Sequence, residues 1–158
     1  MNKKILVAYF SESGNTKSVA EKIQAKTGAD IFEIKTVTPY PRDYNTLTEI
    51  AKKQIQGGEK VVLKENIDIT PYDVVIVGTP AWWYTMAPAV KTFLEENNFE
   101  GKEIVTFVTH GGGGGYNIAQ EMHQYAKGSV SNAKPFVIYG RGGASVDKDI
   151  EDWLKTVK

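Results

Sequence analysis

The feature of this sequence that most constrains its fold is a regular alternation of short apolar runs with longer amphipathic segments. Four runs are almost wholly apolar, at residues 5–10, 74–77, 104–108 and 136–139, and a fifth at 30–34 alternates in character. Runs that are apolar on both faces are typical of strands buried inside a parallel sheet. The sequence therefore predicts a parallel sheet whose successive strands are separated by helices.

The segments between these runs carry apolar residues at helical spacing. In the first, residues 16–26, Val19, Ala20 and Ile23 share one side and charged residues take the other. Similar stripes contain Leu47, Ile50, Ala51, Gln54 and Ile55; Val90, Phe93 and Leu94 after Pro88; Ile118, Ala119, Met122 and Tyr125; and Ile150, Trp153, Leu154 and Val157. Five successive β-α units predict an α/β fold, a three-layer, doubly wound, five-stranded parallel sheet with right-handed crossovers. The favoured strand order is 2-1-3-4-5, in which a cofactor binds at the switch point beside strand one.

Composition narrows the classes of function. The 158 residues predict a single domain over residues 1–158. Because 19 basic and 19 acidic side chains balance, no basic field recruits nucleic acid or an anionic membrane. There is no cysteine for a disulfide or a thiolate metal site, and two histidines make no metal cluster. The first apolar run is too short for a signal-peptide core and no stretch approaches membrane-spanning length, so we expect a cytoplasmic protein.

Residues 11–16, Ser-Glu-Ser-Gly-Asn-Thr, connect the first predicted strand to the first predicted helix. At this point of a parallel sheet, free backbone N–H groups and the positive end of the helix dipole favour an anion. Hydroxyl and amide side chains can close around a phosphate there, although the loop contains no lysine or arginine. The candidate ligands are Ser11, Ser13, Gly14, Asn15 and Thr16. The loop lacks the Gly-Lys-Ser/Thr ending of a P-loop and contains no Gly-x-Gly-x-x-Gly dinucleotide fingerprint. Simple capping of the helix by Ser13 or Asn15 is the alternative.

The motif Ser-x-Ser-Gly-Asn-Thr, after a strand that ends in Tyr-Phe, resembles the FMN phosphate loop of flavodoxins. The resemblance covers essentially the whole chain, because the predicted order of strands and helices also matches. It implies a flavodoxin-like domain that binds FMN without a covalent bond and transfers electrons with it. FMN is favoured over FAD because the loop suits a terminal monophosphate. The run at 136–139 has no room for the insertion that splits the last strand of long-chain flavodoxins, so the chain resembles the short-chain type.

A second loop leaves the third predicted strand and has three adjacent aromatic residues at 82–84. A flavin needs flat, polarisable walls, which an indole supplies. The flavodoxin resemblance implies that this loop carries the residue that stacks on the isoalloxazine, here Trp82 or Trp83, with Trp83 preferred. One of the three aromatics is expected to pack in the core. The cofactor contacts assigned to this loop are Thr79, Pro80, Ala81, Trp82 and Trp83. Its two tryptophans and the segment 39–44 also resemble a bacterial flavodoxin-like subfamily.

A third loop joins the fourth predicted strand to its helix and contains five successive glycines, 111–115. By the same resemblance, its backbone meets the pyrimidine edge of the flavin, and glycine permits that close approach. The contacts assigned to it are Thr109, His110, Gly111, Gly112, Gly115 and Tyr116. Two alternatives stay open. Tyr116 either walls the second ring face or starts the next helix as a core residue, and His110 either serves the flavin or is structural.

Three functions follow from the resemblance. The first is an electron carrier that serves redox partner proteins, as a monomer or weak dimer, and it ranks highest because nothing identifies a nicotinamide site. The second is NAD(P)H-dependent reduction of quinones or nitro compounds. Two features favour it. The net charge of this chain is zero, whereas electron-carrying flavodoxins are typically acidic. The segment 79–88 also lacks the glycine that such flavodoxins place beside the flavin, whose peptide flips on one-electron reduction. The third is a non-catalytic flavin-binding or docking module. No catalytic or metal-binding residue is assigned.

Overall fold

The computed structural model describes residues 3–131 and 133–157. The strands are β1 (Ile5–Tyr9), β2 (Asp30–Glu33), β3 (Val74–Trp82), β4 (Thr85–Met86), β5 (Glu103–His110) and β6 (Phe136–Tyr139). The helices are α1 (Asn15–Thr27), α2 (Tyr44–Gln56), α3 (Pro88–Glu96), α4 (Ile118–Tyr125) and α5 (Val146–Leu154). Each predicted strand and helix is present.

Five strands form a parallel sheet in the order β2-β1-β3-β5-β6. Because β4 pairs only with the end of β3, this is the predicted order 2-1-3-4-5. The register places Val7 beside Ile31 on one side and Ile76 on the other, and Ile76 beside Val105. The predicted α/β fold is confirmed, and the carboxyl ends of the three central strands meet at one edge of the sheet.

Alternate residues of the strands point into two cores. Leu6 and Ala8 pack with residues of α3 and α4, whereas Val7 and Tyr9 pack with residues of α1 and α5. Because helices cover both faces, the central strands carry apolar residues on both faces, which explains the runs in the sequence. None of the helices in the described part of the chain is long and apolar enough to span a membrane.

The third strand is longer than the apolar run at 74–77 predicted. Its parallel pairing with β5 continues to Pro80, which lies opposite Thr109. The chain then turns back, and Trp82 pairs antiparallel with Thr85. The polar residues and the proline after the apolar run conceal this extension from a hydrophobic pattern. The aromatic residues therefore stand on a hairpin and not on an open loop.

Candidate functional site

A pocket of about 450 Å³ opens at the carboxyl ends of β1, β3 and β5. This is the switch point at which doubly wound sheets bind their ligands, and the volume lies in the range of small-molecule sites. All three loops singled out in the sequence contribute to its lining. The sequence-predicted residues that line it are Ser13, Asn15, Pro80, Ala81, Trp82, Trp83, Thr109, His110, Gly111 and Tyr116.

The loop 11–16 presents a helix end without a side-chain cap. Gly14 is the N-cap of α1, with a φ of 96°, and no described side chain caps this helix. The alternative of capping by Ser13 or Asn15 is therefore not what the structure shows. Ser11 Oγ accepts the backbone N–H of Gly14 at 3.1 Å and so closes the loop on itself. Since the first turn of α1 also carries no acidic residue, its backbone N–H groups favour an external anion.

Arg141 supplies the positive charge that the loop lacks. It follows β6, and its Nε donates a hydrogen bond of 3.1 Å to Asn15 Oδ1. Within residues 3–131 and 133–157, the ion pairs do not include Arg141. A cation beside the positive end of a helix is unfavourable unless an anion lies there as well. Arg141 was not predicted from the sequence, because 126 positions separate it from Asn15.

The aromatic residues of the second loop stand on a tight hairpin. Trp82 pairs with Thr85 across a two-residue turn made of Trp83 and Tyr84. The φ angles of Trp83 and Tyr84 are 49° and 70°, the pattern of a type I′ turn, whose central positions favour Asn-Gly. A positive φ costs a bulky residue about 1–2 kcal/mol. Backbone strain of this kind is characteristic of functional sites.

The two indoles of the hairpin have different surroundings. Trp82 meets Phe10 and Tyr40 edge-on, with ring centroids 5.4 and 5.2 Å away, and is partly buried against the core. Trp83 is 43% exposed and donates its indole N–H to the backbone oxygen of Thr48 at 3.0 Å. Trp82 is thus the aromatic of this loop that packs against the core. Trp83 is the indole held at the mouth of the pocket.

Tyr116 lies on the pocket wall and not in the core. It precedes α4, is 50% exposed and has a φ of 48°. Its ring meets that of Tyr84 edge-on, with centroids 5.0 Å apart. Trp83, Tyr84 and Tyr116 are the non-glycine residues with positive φ in the described chain, and all three line the pocket. Of the two alternatives for Tyr116, the structure favours a wall residue.

His110 closes the glycine loop. Its Nδ1 accepts the backbone N–H of Gly112 at 3.0 Å and that of Gly114 at 3.2 Å. These two glycines have φ angles of 126° and 89°, which few other residues adopt. The imidazole also meets the ring of Tyr139 edge-on, with centroids 5.8 Å apart. The glycines therefore form a loop that wraps around His110. The two hydrogen bonds to Nδ1 give His110 a structural role in this loop.

Some predicted residues support the pocket without lining it: Ser11, Gly14, Thr16, Thr79, Gly112 and Gly115. Thr16 is buried and shares a hydrogen bond of 2.7 Å with the hydroxyl of Thr109, which ties α1 to β5. Thr79 is also buried, accepts the N–H of Ala87 at 3.0 Å and donates to the backbone oxygen of Pro80 at 2.9 Å. Because both hydroxyls are engaged by the protein, Thr16 and Thr79 hold the loops in place.

One wall of the pocket was not predicted. It comes mainly from α2, and the unpredicted lining residues are Tyr44, Leu47, Thr48 and Ala51 of that helix with Tyr84 and Gly113 of the loops. The amphipathic stripe of α2 identified Leu47 and Ala51 as an apolar face, but such a stripe does not say whether core or ligand covers it. Tyr44, which is 74% exposed, had no marker beyond its place in the segment 39–44.

The pocket carries little charge. Among the described residues, its lining includes no lysine, arginine, aspartate or glutamate. Glu12 lies in the adjoining loop, where partial burial raises the pKa of its carboxyl. Burial raises the pKa of Tyr40 to about 12, and the charge of Glu12 adds to that effect. A ligand with a flat, neutral body and one anionic end fits this distribution of charge and aromatic surface.

Comparison with known proteins identifies the family. A family model described as Flavodoxin matches residues 4–157. The chain belongs to the flavodoxin family. A crystal structure of a Bacteroides eggerthii protein assigned as a flavoprotein is 31% identical, with a TM-score of 0.85 over 99% of this chain and 98% of that one. A Lactobacillus acidophilus flavoprotein, solved in complex with FMN, is 27% identical, with a TM-score of 0.74 over 97% and 99% of the two chains.

The curated relatives are longer. The flavodoxin of Haemophilus influenzae is 31% identical over 103 residues, which cover 63% of this chain and 45% of that protein. The chain thus spans about half the length of the curated flavodoxins it matches. The family expected from the loop 11–16 is confirmed, and the solved structures agree with the fold over nearly the whole chain.

Proposed function

We propose that residues 1–158 form one FMN-binding domain, which acts as a cytoplasmic electron carrier between redox partner proteins. The observation that carries the proposal is the polarity of the pocket. Its lining combines Ser13 and Asn15, from the loop at an uncapped helix end where Arg141 contacts Asn15, with the aromatic residues of the hairpin and of the loop after β5. The Lactobacillus acidophilus relative, solved with FMN, supports the same ligand. Bound FMN would supply reversible one-electron and two-electron transfer.

The phosphate end of the site would be built from the loop 11–16. Its backbone N–H groups and the hydroxyl of Ser13 would bind the phosphate at the positive end of α1. Arg141 would add a charge-assisted hydrogen bond, and Asn15, which it contacts, would orient the guanidinium. The buried bond between Thr16 and Thr109 would keep this loop in register with the ring-binding loops.

The ring end would be built from the hairpin and the glycine loop. Trp83, anchored to α2 through its indole N–H, would stack on one face of the ring system. Tyr116 would wall the other face, and its edge-on contact with Tyr84 would help to hold its ring in place. The backbone of 111–115 would meet the polar edge of the ring, where glycine permits close approach.

The test is a titration of apo-protein with FMN, FAD and riboflavin, followed by quenching of flavin fluorescence. Tight and quenched binding that prefers FMN to riboflavin is expected, because the phosphate loop and the aromatic walls act on different parts of the ligand. Failure to bind any flavin would refute the proposal. Equal affinity for FMN and riboflavin would remove the role proposed for the loop 11–16.

The second candidate is an FMN-dependent NAD(P)H:quinone or nitro-compound oxidoreductase. It is favoured by the open aromatic mouth, where Tyr84 is 68% exposed and could receive a second planar reactant. Steady-state oxidation of NAD(P)H by the FMN-loaded protein, with a quinone or a nitroaromatic acceptor, separates the two. Rapid turnover would favour the enzyme. Reduction only through a partner flavin reductase would favour the carrier. The absence of both behaviours would favour a binding or docking module.

A further inference from the structure

Two backbone N–H groups of the glycine loop between β5 and α4 donate to a single side-chain atom. Nδ1 of His110 accepts the N–H of Gly112 at 3.0 Å and of Gly114 at 3.2 Å. An imidazole nitrogen accepts a hydrogen bond only when it carries no proton. The observed loop therefore requires the neutral imidazole with its proton on Nε2, because a proton on Nδ1 would face two N–H donors.

The same loop shapes the pocket wall. Gly111 and Gly113 line the pocket, and both lie within the stretch that His110 holds. A β-carbon on Gly113 would overlap the hydroxyl of Tyr116, so the loop backbone and this ring are packed directly against each other. Release of the loop from His110 would therefore disturb a wall residue as well as the loop itself.

We propose that His110 is a positioning residue for the flavin: its neutral imidazole holds residues 111–114 against the pocket, and protonation releases the loop and weakens binding. The ligand named here rests on the proposed function, whereas the hold of His110 on the loop does not. His110 thus acts through the backbone of the loop and needs no contact of its own with the flavin.

The other titratable side chains of the described pocket lining are phenols, and the Glu12 carboxyl, whose pKa is raised by burial, lies in the adjoining loop 11–16. Tyr139 of β6 faces the ring edge-on, and the phenols of Tyr84 and Tyr116 share the pocket lining with it. The ordinary pKa of a tyrosine phenol is about 10. Among the described residues that line the pocket, His110 is the one whose side-chain type changes charge between about pH 5 and 8.

The expected change in the apparent Kd follows from the fraction of the protein that has a neutral imidazole. When only one protonation state binds, the apparent Kd rises by the inverse of the fraction in that state. One pH unit below the midpoint of the imidazole titration, about one molecule in eleven is neutral, so the Kd should be about tenfold higher. Riboflavin is the ligand to use, because the phosphate of FMN itself takes up a proton near pH 6, at a second pKa of about 6.

Two variants and one control separate positioning from general structure. In His110→Asn, an acceptor oxygen lies close to the position of Nδ1, but the side chain does not titrate. The variant should therefore bind riboflavin with the same affinity from about pH 5.5 to about pH 8. His110→Phe removes the acceptor and should bind weakly at every pH. His123→Asn changes the other histidine, on α4, whose Nδ1 lies 3.2 Å from Ser129 Oγ, and should keep the wild-type profile. A pH dependence retained in His110→Asn would overturn the proposal.

Amide hydrogen exchange in the apo-protein tests the loop without any ligand. Protection of the Gly112 and Gly114 amides, relative to an unstructured peptide at the same pH, should be lost as the wild type is acidified and should persist in His110→Asn. Unchanged protection across the titration, or in His110→Phe, would refute the role of His110. If protection changes as expected but no flavin binds at any pH, the proposed function fails and the loop assignment stands.

Discussion

Replacing Arg141 with alanine should weaken FMN binding and leave riboflavin binding unchanged. The guanidinium is held at the end of α1 by Asn15, and none of the ion pairs of the described residues involves it. A hydrogen bond to a charged group contributes about 1.5–3 kcal/mol. Arg141 is exposed, and exposed ion pairs contribute only about 0–1 kcal/mol. We therefore expect a loss of about 1–2 kcal/mol, a five- to thirtyfold rise in the Kd of FMN.

The assay is the quenching titration with FMN and riboflavin in parallel, at low and at high salt. The difference between wild type and Arg141→Ala should shrink at high salt, because salt screens an exposed charge. Arg141→Lys, which keeps the charge without the fork of N–H donors, should fall between the two. Arg42→Ala is the matched control, since Arg42 is the other arginine of the chain and is exposed.

Three results would refute this reasoning. If Arg141→Ala weakens riboflavin as much as FMN, then Arg141 supports the fold of the site and not the phosphate. If FMN affinity is unchanged, the backbone N–H groups of the loop 11–16 are sufficient on their own. If Arg42→Ala shows an equal loss, the effect is one of net charge and not of the position of Arg141.

Three further predictions test the core, the ring wall and the buried phenols. Gly78→Ala should destabilise the fold by about 1–3 kcal/mol in urea denaturation, because a β-carbon would overlap the buried ring of Phe107; wild-type stability would contradict this. Trp83→Leu should weaken FMN and riboflavin by the same factor, about two- to tenfold, and a loss confined to FMN would exclude Trp83 from the ring wall. Burial raises the pKa values of Tyr9 and Tyr40 each to about 12, above the ordinary value of about 10. Their contribution to stability is complete below about pH 10 and is lost as the pH rises towards about 12, so the last part of the tyrosinate absorbance, that of Tyr9 and Tyr40, should appear together with unfolding.

The layers of the fold were predictable because they depend on local periodicity. Val7 and Ile76 lie in runs that are apolar on both faces, and only a strand covered on both sides buries such a run. The succession of β-α units predicted a parallel sheet with right-handed crossovers, and the order 2-1-3-4-5 was preferred because it places a switch point beside strand one. The meeting of the loops 11–16 and 109–116 followed as well, since parallel strands end at the same edge of the sheet.

The place of Arg141 at the candidate site could not be predicted from the order of strands and helices. It lies in an exposed loop between two glycines, and no periodicity or motif marks such a residue as part of a site. Its place beside Asn15 results from the closure of the whole sheet, which brings the end of β6 near the start of α1. Contacts of this kind depend on side chains that meet only after folding, so they appear in the structure and not in a pattern of the sequence.

The hairpin was hidden for the opposite reason, since local preference argues against it. A two-residue turn with positive φ at both positions predicts Asn-Gly, and here it holds Trp83 and Tyr84. Asn-Gly would relieve the strain in the backbone, but it would remove the indole and the phenol from the mouth of the pocket. Tyr116, at the facing loop, shows the same conflict. Because the described non-glycine residues with positive φ all lie on this pocket, the disagreement between local preference and structure itself locates the site.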